Sequence, residues 1–289
     1  MAGRLPDFLI VGAAKSGTTS VADWLRAHPQ AFVPTAKELY FFNDDARWAL
    51  GLDGYREQFA AAGDAAVAGE ATPFYMYFPE AVARMASVIP RAKLIVVARE
   101  PVDRAHSNWR HLYYRQATES RTFAQLVEDE LREDARLPPP GRCDLDARRH
   151  LVHGRYRDQI ELLLEHYPRE RILALLTEDL EGDPRAAFAR ICRFLGIDDG
   201  VVPPEVGQRS NAHREFRPVR LWRLLVRHRI LERLPDRVGK FVALRLMWRE
   251  TPPPPLDPAT RARLADYYAE PNAAFAEWLG RDLSHWNPG

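Results

Sequence analysis

Residues 12–19, Gly-Ala-Ala-Lys-Ser-Gly-Thr-Thr, set Gly12 and Gly17 around a lysine and precede two hydroxyl side chains. That is the glycine spacing of a phosphate-binding loop, G-x-x-x-x-G-K-[ST], with its order altered. Thr18 stands where the lysine is expected, the lysine lies inside the loop at Lys15, and Thr19 keeps the hydroxyl slot. Backbone N–H groups at a helix N-terminus form a nest for an anion, and Lys15, Ser16, Thr18 and Thr19 add charge and donors to it. The plainer alternative is a small-residue turn that merely opens a helix. A second cluster, "LIVVAREPVDRAHSNW", ends an apolar run with Arg99 where a magnesium-binding NTPase would need an Asp. Ser107 lies about two helical turns further on, so Arg99 and Ser107 can grip a second dianionic group through bidentate and hydroxyl hydrogen bonds.

Elements of definite type must hold these residues. "FLIVG" at 8–12 is a continuous apolar run closed by glycine, which suits a parallel strand covered on both faces. Val21, Trp24 and Leu25 then recur at helical spacing before Pro29. Strand-like runs at 65–70 and 93–100 flank a helical segment from Pro79 to Val88, and this alternation predicts an α/β fold. Helices are expected after Pro101, over 122–134 and over 156–168, a strand over "RILALLTEDL", and a helix over 184–195 closed by Gly196. The expected architecture is a P-loop-like central parallel sheet flanked by helices, with a C-terminal helical appendix after the proline-rich segment 251–258. One domain over 1–289 is expected, with a core at about 5–200, a lid or acceptor loop with helices at about 201–255, and the C-terminal helix at 256–289.

The chain has 289 residues, 46% of them hydrophobic and 28% charged, which is the composition of a folded protein and not of a disordered one. Its 41 basic and 40 acidic side chains leave a net charge of +1, without the broad positive field of a general nucleic-acid binder, so no nucleic-acid partner is expected. Cys143 and Cys192 have no metal-ligand spacing, and no metal is expected. The opening residues run into an apolar stretch too short for a signal h-region or a membrane span, which makes a cytoplasmic location the expectation. Segment 219–233, with Trp222 and Leu225 among arginines, is a basic amphipathic candidate: a lid over the cleft, or a peripheral membrane contact.

Taken in order, "FLIVGAAKSGTTSVADWLRAHP", "KELYFF", "EATPFYM" and "KLIVVAREPVDRAHSNW" resemble the 5′-phosphosulfate loop, the catalytic-acid segment and the 3′-phosphate strand of sulfotransferases that use 3′-phosphoadenosine 5′-phosphosulfate (PAPS). The likeness is to the heparan sulfate and other carbohydrate sulfotransferases and their bacterial relatives. It continues through "GRYRDQIELLLEHYPRERILALLTEDL", "FLGI", "NAHREFRP" and "GRDLSHW", and so covers nearly the whole chain.

The resemblance implies PAPS as sulfuryl donor with no metal required. It places Ala14, Lys15, Ser16, Gly17, Thr18 and Thr19 on the 5′-phosphate, with Lys15 meeting charge that develops on the leaving phosphate. It places Arg99 and Ser107 on the 3′-phosphate, and Tyr156 and Arg217 near the nucleotide. The long cysteine-bridged insert of some vertebrate members is absent, which leaves assignments within the loop at 208–220 open. Glu38 matches the general base of the carbohydrate enzymes, and its neighbours Leu39, Tyr40, Phe41 and Phe42 are expected to raise its pKa by desolvation. Glu70 is a second carboxylate, expected to position more than to react, and Glu70 and Phe42 are candidate substrate contacts. The carbohydrate members often carry Lys after that glutamate, where this chain has Ala71. The implied acceptor is a hydroxyl of a sugar, a glycolipid or a secondary metabolite. A P-loop kinase using ATP and magnesium, and a nucleotide-binding scaffold without chemistry, are the alternatives.

Overall fold

The computed structural model describes residues 3–36, 38–116, 118–134, 149–208, 214–216, 221–222, 224–225, 248–250 and 255–287. Strands β1 (Phe8–Gly12), β2 (Ala31–Phe32), β3 (Val67–Ala71), β4 (Lys93–Ala98) and β5 (Ile172–Leu176) form one sheet in the order β2-β3-β1-β4-β5, every pairing parallel. Side chains alternate across a strand, and β1 divides accordingly. Leu9 and Val11 face a core shared with α4 (Pro79–Val88), α7 (Tyr156–Leu164) and the end of α10 (Pro258–Leu279). Phe8 and Ile10 face a second core, shared with α1 (Thr18–Arg26) and α9 (Pro184–Leu195). Both faces are covered, which is why these strands read as unbroken apolar runs.

A third apolar cluster joins α5 (Pro101–Arg110), α6 (Phe123–Asp134) and α10 through Val102, Trp109, Phe123, Leu126, Leu264 and Tyr268. The helix expected after Pro101 changes character at its end, with α5 running on into a π-helical turn at His111–Gln116. Two short helices, α2 (Asp45–Ala49) and α3 (Leu52–Glu57), and the two-residue β2 have no counterpart in the sequence reading. The run "RILALLTEDL" needs correction. The strand stops at Leu176, and Thr177–Gly182 form helix α8, because the Asp179 carboxylate accepts from the Leu176 backbone N–H at 2.9 Å and turns the chain. A separate antiparallel pair, β6 (Arg214–Phe216) and β7 (Trp248–Glu250), completes the described strands. No described helix is long and apolar enough to cross a membrane.

The register decides what the sheet presents at its C-terminal edge. Ile10 pairs with Ala71, Gly12 with Val96 and Ala98 with Leu176. The ends of β3, β1, β4 and β5 therefore lie side by side. The chain runs from β1 outward to one side and then crosses to β4 on the other, and that crossing point is where open α/β sheets place their ligands.

Candidate active site

At the centre of this edge is the loop from β1 to α1. Gly17 caps α1 with φ +96°, a conformation glycine adopts without cost, and no side chain caps the helix. Its first N–H groups thus keep the positive end of the helix dipole open to an anion. Gly12 is required by closeness: a Cβ there would lie 1.6 Å from Met76 Sδ. Lys15 itself has φ +73° and is half-buried. The Ser16 hydroxyl is buried and meets no hydrogen-bond partner of good geometry, although the Tyr156 hydroxyl lies beside it. A buried hydroxyl left unsatisfied in a loop with an uncapped helix is what a cradle for ligand oxygens requires. Thr18 is buried and Thr19 half-buried at the helix start, while the Ala14 N–H is already taken by the Tyr77 hydroxyl at 3.0 Å.

On the β4 side, Arg99 follows the strand directly. Glu100 accepts from the Val102 and Asp103 N–H groups at 2.9 and 2.7 Å and so caps α5, whose first position is Pro101. This cap fixes where Arg99 leaves the sheet. Its Nη1 reaches the Lys15 carbonyl at 3.4 Å, which ties the β4 end to the loop. The Tyr156 hydroxyl donates to the Arg99 carbonyl at 2.7 Å and accepts from its N–H at 3.2 Å. Tyr156 is buried, so it acts on the site by clamping Arg99. Ser107 is half-buried on α5, one helical turn beyond Arg104. At the end of β5, the Thr177 hydroxyl bridges the Ser16 and Ala98 carbonyls at 3.1 and 3.2 Å.

On the β3 side, the Glu38 N–H donates to the Ala71 carbonyl at 3.2 Å, and the Tyr40 hydroxyl donates to Glu38 Oε2 at 2.5 Å. Glu38 and Tyr40 both have positive φ, at 60° and 53°. The expectation about burial is corrected here. Glu38 is half-buried, while Leu39, Phe41 and Phe42 point into the core. The enclosed carboxylate is Glu70, at 1% exposure. It accepts from the hydroxyls of Thr72 (2.7 Å), Tyr75 (2.7 Å) and Tyr55 (3.2 Å) and from the Leu39 N–H, and burial pushes its pKa up. Glu70 therefore fastens the segment that carries Glu38. Phe42 is fully buried against Trp48, Tyr55 and Tyr75, and neither it nor Glu70 presents surface to an acceptor.

Two of the described histidines near the site, His106 and His153, have lowered pKa values. His106 is held at a pKa of about 4 by burial and then by Arg110. His153 is buried, with its pKa well below the usual range, and stacks on Tyr77 at 3.8 Å. Among the described residues no group of three His, Cys, Asp or Glu side chains could hold a metal ion. Arg217 and Cys143 lie outside the described residues, as does 219–233 apart from residues 221, 222, 224 and 225. Sequence reasoning missed Tyr77 and Thr177, and it took Tyr40 only as a desolvating neighbour of Glu38 and not as its hydrogen-bond donor. Thr177 alone had a usable signal, a hydroxyl directly after an apolar strand, which is where such a sheet meets its ligand.

A parallel sheet with a glycine-bounded loop and an uncapped helix at its crossing point, and an arginine on the next strand end, has the layout of a site for an anionic ligand. Residues 5–221 match the sulfotransferase domain family, and the chain belongs to that family. It is 27% identical to the human bifunctional heparan sulfate N-deacetylase/N-sulfotransferase 3, over 98% of this chain and 31% of that protein. It is 24% identical to the mouse heparan sulfate glucosamine 3-O-sulfotransferase 5, over 97% of this chain and 74% of that one. The chain thus spans about a third of the length of the bifunctional relatives it matches. Among solved structures, a sulfotransferase from Alicyclobacillus acidocaldarius superposes with a TM-score of 0.71 at 25% identity, covering 99% of this chain and 100% of that one.

Proposed function

We propose that this protein transfers a sulfuryl group from PAPS to a hydroxyl of a sugar, glycolipid or secondary metabolite. One observation carries the reading: the loop of Lys15 and Ser16, Arg99 on the neighbouring strand end, and Glu38 beside β3 sit along a single sheet edge. The orphaned Ser16 hydroxyl and the uncapped α1 fit a phosphate-bearing donor. The donor supplies the activated sulfuryl group, so the protein has alignment and charge compensation left to provide. In this reading the α1 N-terminus and the hydroxyls of Ser16, Thr18 and Thr19 hold the 5′-phosphate, and Arg99 with Ser107 holds the 3′-phosphate. Lys15 compensates negative charge on the departing oxygen. Glu38, oriented by the Tyr40 hydroxyl, takes the proton of the attacking hydroxyl. The names of the relatives support a sugar acceptor.

The test is calorimetric titration with the desulfated product, 3′-phosphoadenosine 5′-phosphate, beside ATP with magnesium, followed by an acceptor screen. The bisphosphate should bind tightly and ATP weakly; the reverse order returns the protein to the kinase reading. Glu38→Gln should keep bisphosphate affinity while turnover falls by roughly 10²–10⁴. Substantial residual turnover would remove Glu38 as the base.

A further inference from the structure

Behind the anion loop lies a charge that the reaction as described does not use. Arg104, on the first turns of α5, is 0% exposed. One arm of its guanidinium donates to the His150 carbonyl, and Nε and Nη1 meet no partner of good geometry, although the Tyr268 hydroxyl lies beside the guanidinium. Among the described residues no carboxylate pairs with it. The buried acid Glu130 accepts instead from His150 Nδ1 at 2.9 Å and from the His150 and Leu151 N–H groups at 3.0 and 2.8 Å. The groups that do face Arg104 are the hydroxyls of Tyr77, Tyr156 and Tyr268, together with His150 and His153. Tyr268 is turned to the Leu151 carbonyl at 2.7 Å. The other two tyrosines lead to the site: Tyr77 accepts from the Ala14 N–H of the loop, and Tyr156 clamps Arg99.

An arginine stays protonated at any working pH, and a buried charge is tolerated only when something compensates it. Among the described residues its direct contacts are carbonyl and hydroxyl dipoles, and no carboxylate reaches it. The open side of the same arrangement is the cradle for the donor's phosphates.

We propose that the counter-charge of Arg104 is the bound anionic donor. Arg104 is then a positioning residue that keeps the loop and the end of β4 at positive potential from behind Tyr77 and Tyr156, without touching the ligand. In a site walled by protein such a charge acts at low effective dielectric and is weakly screened by salt. It sits one helical turn before Ser107, so the helix that carries the 3′-phosphate candidate also carries the supporting charge. This inference rests on the donor class proposed above.

The experiment compares the full chain with Arg104→Met, which removes the charge at similar volume, and Arg104→Lys, which keeps it. Two quantities are read: the Kd for 3′-phosphoadenosine 5′-phosphate by calorimetry, and the Tm without ligand. Arg104→Met should weaken binding on the order of tenfold, with the ligand-free Tm unchanged or raised, because a buried cation without a paired carboxylate has been removed. Arg104→Lys should bind within about threefold of the parent. Equal losses in both variants would show a packing role and overturn the proposal, as would unchanged affinity in Arg104→Met. A drop in Tm or loss of folding in Arg104→Met would also overturn it, by revealing a counter-charge within the protein. Arg104→Gln against Arg104→Lys then repeats the charge comparison with polar side chains. If the parent chain itself fails to bind the bisphosphate, the donor assignment falls; if the parent binds and Arg104→Met binds equally, the role of Arg104 alone falls.

Discussion

Lys15, Glu38 and Tyr40 are the described non-glycine residues at positive φ, and all three belong to the candidate site. Each such conformation costs about 1–3 kcal/mol and persists only where its surroundings enforce it. For the Glu38 segment the enforcement comes from Glu70, which holds the Leu39 N–H, and from Tyr75, whose hydroxyl accepts from the Phe41 N–H at 3.1 Å. Burial raises the pKa of Glu70 above its usual 4.5, so the folded protein keeps this proton at pH values where the unfolded chain has lost it. The folded state then binds more protons in that window, and stability falls as pH rises from about 4.5 through the raised value. Glu70→Gln removes the titration. Measured by urea unfolding from pH 4 upward, the stability of the parent relative to Glu70→Gln should decline with pH; parallel curves would sink this account of Glu70. Loop spacing and strand ends are local features, and they singled out Lys15 and Arg99, whereas Glu38 entered only through the family resemblance. The sequence could not separate the half-buried glutamate from the enclosed one, because that depends on three hydroxyls brought together by α3 and the turn after β3.

At the scale of elements, the strands and the long helices were legible where hydrophobic period and punctuation agreed, as in β1 with α1 and in α9, which runs from its Asp183 cap to Gly196. The misreading of α8 has a physical cause: "TEDL" continues an apolar run, and only the Asp179 bond to the Leu176 N–H turns it into a helix. That helix matters, since Thr177 at its start bridges the loop and the end of β4. It is held in turn by the C-terminal segment, where Arg281 Nη1 meets both Asp179 oxygens at 2.7 Å and Trp286 Nε1 donates to Glu178 at 2.6 Å. The Trp286 ring is buried beside Phe275 and Tyr156, the latter being the clamp on Arg99. Trp286→Ala should therefore cost about 3–5 kcal/mol in denaturant unfolding, the usual range for emptying a large aromatic site. It should also weaken bisphosphate binding at temperatures where the variant is still folded. A stability loss with full affinity would mean that the C-terminal turn packs the core without steadying the site.

For the whole molecule, the order β2-β3-β1-β4-β5 gathers groups from five distant stretches of sequence: the loop after β1, Glu38 beside β3, Arg99 after β4, Thr177 after β5 and the C-terminal turn behind α8. No single stretch is a site, and the connections between them are hydrogen bonds that differ in how near they lie to the anion. Ligand binding should tighten this set as a unit, because whatever binds the native state suppresses the openings that expose its contacts. Hydrogen–deuterium exchange with and without 3′-phosphoadenosine 5′-phosphate should show slowed exchange at 13–21 and 99–108. Protection should extend to 176–182 and 281–286, which reach the loop through Thr177 with its helix and through Tyr156. The other edge of the sheet, β2 with α2 and α3, lies away from the loop, beyond β3 in the strand order, and should exchange unchanged. Protection confined to the loop would separate the C-terminal turn from the site, whereas uniform slowing across both edges would mean that the ligand acts only by raising global stability.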